Sequence, residues 1–253
     1  MERMNDKNKV RDIIIENEQM RLVVGQDCVS RSLIHKATGE ECLVTDEEIA
    51  LFSVTQERPY NNEVKLAHPN KRTVYQADRV RREGNKLIIG FEVIPYEAVI
   101  EIKEEPMYIG FRLDSFIYDP ADYPLRMTPP PVKELRLLQL PVQNRENFGE
   151  WLNVSWDDKV AINVLATSPY ARIDSERRKD YRIMYADALK DVKLKGVEAA
   201  LIVSSPEKLL DGIAVLEEDY DLPLGVKSRR GDMINASAYW TSTINPSNVD
   251  EHI

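Results

Sequence analysis

The chain has 253 residues, with 34 Lys plus Arg against 43 Asp plus Glu, for a formal charge of -9. Without a dense basic cluster, that balance excludes the backbone neutralisation that nucleic-acid binding requires. The longest apolar runs, such as residues 13–15 and 199–203, fall far short of the ~20 residues that span a bilayer, so neither nucleic acid nor a membrane is an expected partner.

The length suits one large domain with a substantial core, a size at which all-β sandwiches form single units. The opening MERMNDKNKVRD lacks the apolar stretch of a signal peptide. As written the chain reads as cytoplasmic, and a secreted or periplasmic parent is the alternative if a leader has been removed. Two cysteines, Cys28 and Cys42, do not make a disulfide framework; they read as small buried apolar residues, although both lie on strand-like segments that could face each other. No Cys or His cluster has zinc spacing, and no cofactor is expected.

From residue 12 the sequence runs as short strands with turn punctuation. DIIIE, MRLVV, a turn at Gly25, Gln26 and Asp27, CVSRSLIH and a turn in KATGEE make a β-meander. ALFSVTQE alternates apolar and polar residues. The stretch RPYNNEVKLAHPNKR, broken by Pro59, Pro69 and paired asparagines, reads as a long surface loop. Four more strands follow in TVYQADRVRRE, KLIIGFEVI, YEAVIEIKE and MYIGFRLDSFIY. Residues 119–131 carry five prolines in thirteen, which suits neither a ladder strand nor a helix.

After ELRLLQLPV comes the segment ENFGEWLNVSWDDKVAINVL, which reads as two strands around a tight turn and holds two of the three tryptophans. A three-residue loop of Asp157, Asp158 and Lys159 pairs Trp156 with Val160, Val154 with Ile162 and Leu152 with Val164, giving one wholly apolar face. A two-residue loop would mix the faces. The same three-residue register sets Trp151 beside Leu165 and Asn153 beside Asn163, a face with an indole and two amides that could meet a sugar. Residues 174–180 then read as a charged loop, followed by strands in YRIMYADALK and GVEAALIVSS.

A helix is expected over 205–219. Ser205 suits the cap, Pro206 the first helical position, and Leu209, Ile213, Leu216 and Tyr220 recur at helical spacing. Leu222 and Pro223 stop it, and the tail reads as a wrapping linker. At the end, Asn245 or Ser247 caps what looks like a first helical turn with Val249 and Ile253; one turn cannot meet its own nucleation cost, so a longer natural chain is expected.

For sugar binding, the candidate residues are those pairing rings with fixed polar groups: Trp151 with Asn153 and Asn163, and the loop residues Arg58, Tyr60 and Asn62, neighbours of Asn61. Core packing is the competing reading for Trp151, and turn chemistry for the loop. Glycoside hydrolysis needs two carboxylates flanking one bond. Among 43 acids the sequence selects no pair, and Glu146 and Glu150 read as solvated edge charges. Asp157 and Asp158 are a weak calcium signal. GxGxxG, P-loop and GxSxG patterns do not occur.

The opening IIIENEQMRLVVGQDCVSRSLIHKATGEECL, the GEWLNVSW hairpin and the helix-linker EKLLDGIAVLEEDYDLPLGVKSRR leading to SAYW resemble, over roughly residues 12–253, the N-terminal β-sandwich of multidomain bacterial glycoside hydrolases. This is the galactose-mutarotase-like supersandwich. The resemblance implies an all-β fold, a large antiparallel β-sandwich with one C-terminal linker helix. It divides the chain into a sandwich domain at 1–204 and a linker helix and wrapping segment at 205–253 leading to an absent (β/α)8 barrel. It implies a non-catalytic domain that supports the barrel's active site, with carbohydrate and the barrel as partners and the catalytic pair on the barrel. A true mutarotase pairs a glutamate with histidines, and His35, His68 and His252 do not follow that pattern. An autonomous aldose 1-epimerase and a purely structural or interaction module are the alternatives.

Overall fold

The computed structural model describes residues 12–57, 72–118, 132–150, 153–168, 170–188 and 194–220. Strands are numbered in chain order. A four-stranded sheet runs β1 (Ile13–Glu16), β2 (Met20–Val24), β3 (Ser30–His35), β4 (Glu40–Glu41). A five-stranded sheet runs β15 (Ala171–Arg177), β16 (Tyr181–Ala188), β11 (Val132–Gln143), β5 (Ser53–Glu57), β6 (Arg72–Gln76). The largest sheet has eight strands in the order β12 (Asn147–Gly149), β13 (Val154–Trp156), β14 (Ala161–Ala166), β17 (Glu198–Ser204), β10 (Ile109–Tyr118), β9 (Tyr96–Glu104), β8 (Lys86–Gly90), β7 (Arg79–Glu83). Every pairing among these strands is antiparallel. The class is an all-β sandwich, as the alternation in the sequence implies.

Period-two patterning places the core. Along β9, Tyr96, Ala98, Ile100 and Ile102 are buried while Glu97 is exposed. Leu22 and Leu33 from the four-stranded sheet, Leu87, Ile100 and Phe111 from the eight-stranded sheet, and Leu140 and Met184 from the five-stranded sheet join one continuous cluster. All three sheets therefore share one core. The edge strand β7 carries three arginines in five residues, a charge density that discourages pairing with another chain.

β14 and β17 break the alternation. All six residues of β14 are buried, because one face meets the core and the other is roofed by α1 (Leu209–Asp219). The helix follows a 3-10 turn at Pro206–Lys208, and Ser205 takes the capping position in extended conformation without the side-chain cap hydrogen bond its type suggests. Leu209, Ile213 and Leu216 are buried against Ala200, Ile202 and Trp156, a contribution of roughly 1.5–3 kcal/mol for each side chain. Gly212 lets the helix come down close on β17, since a Cβ there would lie 3.3 Å from Ile202 Cγ2.

Residues 174–180 correct the expected charged loop. Asp174 to Arg177 belong to the edge strand β15, where an outward face tolerates charge, and only residues 178–180 turn into β16. Residues 58–71, 119–131 and 221–253, with the expected loop, proline-rich connection and terminal helix, lie outside the described residues.

Candidate functional site

The hairpin of β13 and β14 takes the two-residue loop. Trp156 pairs with Ala161, Ser155 with Ile162 and Val154 with Asn163, one residue away from the expected register. Asp157 causes this. Its N–H donates to Val160 O at 3.1 Å, and its carboxylate Oδ1 accepts the N–H groups of Lys159 and Val160, both at 2.9 Å, closing the turn at Asp158 and Lys159. The faces are therefore mixed: Val154 and Trp156 go under α1 with Ala161 and Leu165, while Ile162 and Val164 face the core.

Asn153 and Asn163 do meet, but away from solvent. Asn163 Nδ2 donates to Asn153 O at 3.1 Å, and both residues are fully buried, so they do not form the open amide face expected of them. Asn153 sits in the left-handed region at φ 47°, which takes it out of the strand and explains why period-two reasoning misplaces it. Trp151, Arg58, Tyr60 and Asn62 lie outside the described residues. Glu146 and Glu150 are exposed, as solvated edge charges are.

Arg145 lies where the three sheets converge. Its side chain is 3% exposed, and its Nη1 donates both to Glu40 on β4 and, at 2.7 Å, to Asp157 in the hairpin turn. Burial works to discharge the guanidinium, and the hydrogen bonds to Asp157 and Glu40 outweigh it and hold the pKa above its ordinary value. Burial likewise pushes the Asp157 carboxyl up, but Arg145 and the two backbone N–H groups leave it below the usual carboxylate range. Cys42 is free and buried nearby, and burial pushes its thiol up to about 12; Cys28 is the same. Both behave as apolar fillers.

His35 is buried at the end of β3, with Nδ1 3.0 Å from Thr38 Oγ1. Burial and the positive Arg145 lower its pKa, against a smaller pull from Glu40. A lowered folded pKa means that the unfolded chain binds more protons near pH 6. The contribution is full above the unfolded value of about 6.5 and is lost as pH falls through the folded one. Glu198 and Asp187, raised chiefly by burial, act in the opposite sense as pH falls. The expected result is therefore a difference: wild type should lose more urea resistance than His35→Gln between about pH 7 and 5. Parallel profiles would mean that His35 is not the acid-sensitive group.

The outer face of the five-stranded sheet carries a polar network that nothing in the sequence marks. Arg136 lies 3.8 Å over the Tyr185 ring and binds Glu134 at 2.5 Å, Glu176 and Gln139, while Arg172 forks onto Asp187 at 2.6 and 3.1 Å. Its groups satisfy one another, which reads as support for the sheet. The signal would have been spacing across strands, which depends on register and is invisible along the chain.

A cleft of about 660 Å³ opens at the β7, β8 and β9 edge of the large sheet. Ile88, Ile94 and Pro95 give it an apolar floor with the edges of Phe91 and Tyr96; Gln26, Arg79, Arg81, Glu92 and Glu97 give it polar walls. Tyr96 is locked in place, stacked on Phe116 with centroids 4.7 Å apart and accepting from Gln56 Nε2 at 3.2 Å. Arg79 is fixed as well, donating from Nη2 to Phe91 O at 2.7 Å and pairing with Asp78 at 3.5 Å. Asp78 in turn accepts the Glu92 N–H at 2.7 Å, which holds the wall of the cleft. Among the described residues no group of three or more His, Cys, Asp or Glu side chains is placed to hold a metal, and no helix is long and apolar enough to cross a membrane.

Fold and cleft together define a β-sandwich with a mixed apolar and polar recess at one sheet edge. No family model matches the chain, and no curated protein matches it. Among solved structures, a 4-alpha-glucanotransferase from Thermococcus litoralis aligns with 79% of this chain and 38% of its own, at 8% identity and a TM-score of 0.38. A GH31 family sulfoquinovosidase from E. rectale aligns with 80% of this chain and 34% of its own, at 11% identity and a TM-score of 0.36. A galactose mutarotase related enzyme from Lactobacillus acidophilus aligns with 77% of this chain and 98% of its own, at 12% identity and a TM-score of 0.36. The chain thus spans about a third of the length of the first two. Likeness at these scores carries no argument about ligand or chemistry.

Proposed function

We propose that the chain is a carbohydrate-associated β-sandwich domain of a glycoside-hydrolase-like protein, one that binds sugar without turning it over. The observation that carries this reading is the cleft at β7, β8 and β9. A sugar ring offers an apolar C–H face and a rim of hydroxyls, and a recess with an aliphatic floor and fixed donors and acceptors complements both. In the full protein the domain would support the active site of a (β/α)8 barrel that holds the catalytic carboxylates. The support for that part is the sequence resemblance in strand order and in the linker after α1. Trp151 and the loop residues Arg58, Tyr60 and Asn62 remain proposed sugar contacts. Asn153 and Asn163 are assigned instead to bracing the turn that leads into β13.

The test is turnover and binding on the isolated chain. No release from an aryl-glycoside panel is expected, because leaving-group protonation and nucleophilic attack both need carboxylates that this reading puts elsewhere. Oligosaccharide binding should survive, with Trp151→Ala weakening it while the circular dichroism spectrum stays unchanged. Interconversion of sugar anomers at an enzymatic rate would replace this reading with an autonomous epimerase; unfolding of Trp151→Ala would make Trp151 a core residue.

A further inference from the structure

Among the described residues the three sheets end in β1 and β4, β12 and β7, and β15 and β6. An unpaired edge is a template for another strand, and all of these but β6 are blocked or blunted. On β1 the Glu16 N–H donates to Glu104 Oε1 at 3.0 Å, and Ile14 O accepts from Arg82 Nη1 at 2.6 Å. On β7 the Val80 N–H donates to Gln26 O at 2.8 Å, between the arginines that already discourage pairing. β15 carries Asp174 at its centre, and β4 and β12 are only two and three residues long. β6 has none of these devices. Among the described residues no strand pairs with its outer side, its one charge, Arg72, stands at its end, and Val74 at its centre is 56% exposed.

The ladder with β5 fixes which backbone groups of β6 turn outward. Just past the strand the Ala77 N–H donates to Phe52 O at 3.0 Å, and the pairs Val54 with Tyr75 and Gln56 with Thr73 follow at steps of two. In an antiparallel ladder alternate residues bond to the same neighbour, so Thr73 and Tyr75 direct their backbone groups to β5. Arg72, Val74 and Gln76 direct theirs to the open side. A second β6 laid antiparallel with Val74 opposite Val74 meets all three, because Arg72 then faces Gln76 of the copy and Gln76 faces its Arg72. Each such pair exchanges two backbone hydrogen bonds. The side chains match as well: valine meets valine on the outer face, Thr73 meets Tyr75 on the inner one, and no like charges stand opposite each other.

We infer that β6 is a self-association edge, at which a second copy of this chain pairs antiparallel about a two-fold axis through Val74 and joins two five-stranded sheets into one. The occupant is a second copy because β6 is its own complement in backbone phase, charge and side-chain size, as an isologous contact requires. The other long edges fail the same test. About their centres Arg81 of β7 would meet Arg81, and Asp174 of β15 would meet Asp174. One strand pair buries less than a standard interface, so the dimer is weak, with a dissociation constant on the order of 0.1 mM. The pairing is independent of the carbohydrate reading, since the sugar cleft lies on a different sheet.

The experiment is sedimentation velocity on the full chain over concentrations about tenfold either side of that value, with amide exchange followed on the same samples. A monomer–dimer equilibrium is expected, and the amides of Val74 and Gln76 should gain protection as concentration rises while those of Thr73 and Tyr75, already bonded to β5, stay constant. Val74→Lys sets two ammonium groups against each other across the axis on an exposed face, and should weaken the dimer roughly tenfold or more with the circular dichroism spectrum unchanged. Val74→Pro removes an outward N–H without touching the β5 ladder, and should weaken it likewise. A chain that stays monomeric throughout, or a dimer indifferent to both substitutions, would overturn the inference. So would protection of Val74 and Gln76 that does not vary with concentration, since the edge would then be closed within one chain.

Discussion

Replacing Arg145 with methionine is expected to lower stability by about 3 kcal/mol, the scale on which removing one partner of a buried ion pair is felt. For a chain of this size that is a fall in Tm of roughly 6–12 °C. The reason lies in what the guanidinium joins. Arg145 follows β11 in the five-stranded sheet, Glu40 lies on β4 in the four-stranded sheet, and Asp157 makes the turn of the β13 hairpin in the eight-stranded sheet. Methionine keeps most of the aliphatic volume, so the loss measures the charge and its hydrogen bonds and leaves packing nearly constant. It strands Glu40 and Asp157, each partly buried at 31% and 21% side-chain exposure, against each other. Adding Glu40→Gln and Asp157→Asn to the methionine variant should recover part of the loss, since an uncharged triad leaves no carboxylate to bury. Lysine should fall between, because an ammonium keeps the charge but is more strongly hydrated than a guanidinium and costs more to bury. A urea midpoint unchanged by Arg145→Met would mean that the three sheets are held by their shared core alone.

The sequence made the sandwich legible for a physical reason. Strand residues such as Tyr96, Ala98, Ile100 and Ile102 alternate because one face is dry and the other wet, and that alternation survives in one dimension. α1 was legible by the same argument at period 3.6, from Leu209, Ile213 and Leu216. What failed were properties fixed between segments. The hairpin register turned on the Asp157 carboxylate capturing two backbone N–H groups, a competition that apolar pairing alone does not register. Asn153 and Asn163 looked like surface amides because polar residues usually face water, yet the roof that α1 puts over this sheet and the left-handed turn at Asn153 bury them. The cleft at β7, β8 and β9 was invisible too, since lining residues such as Arg79 and Glu97 come together only when three strands pair in one register.

The second large effect is expected at Trp156. The one-residue difference in register moves this indole from the apolar sheet face shared with Val160 and Ile162 to the opposite face, where it is 5% exposed beneath α1 and joined to Leu209, Ile213 and Leu216. Trp156→Ala should then cost about 4 kcal/mol, the transfer of a large aromatic surface plus the cavity it leaves. The two registers predict different casualties. If Trp156 faced the main core, all three sheets would loosen together; with Trp156 under the helix, α1 loses its platform first. Amide exchange should therefore rise most across 209–219, where opening becomes local, while Leu22, Ile100 and Met184 keep their protection until global unfolding. Ile213→Ala should cost 2 kcal/mol or more, roughly, on its own, and less when Trp156 is already alanine, since both substitutions empty the same cluster. Strict additivity of the two, with exchange across 209–219 unaltered by Trp156→Ala, would put the indole back on the core face and restore the three-residue loop.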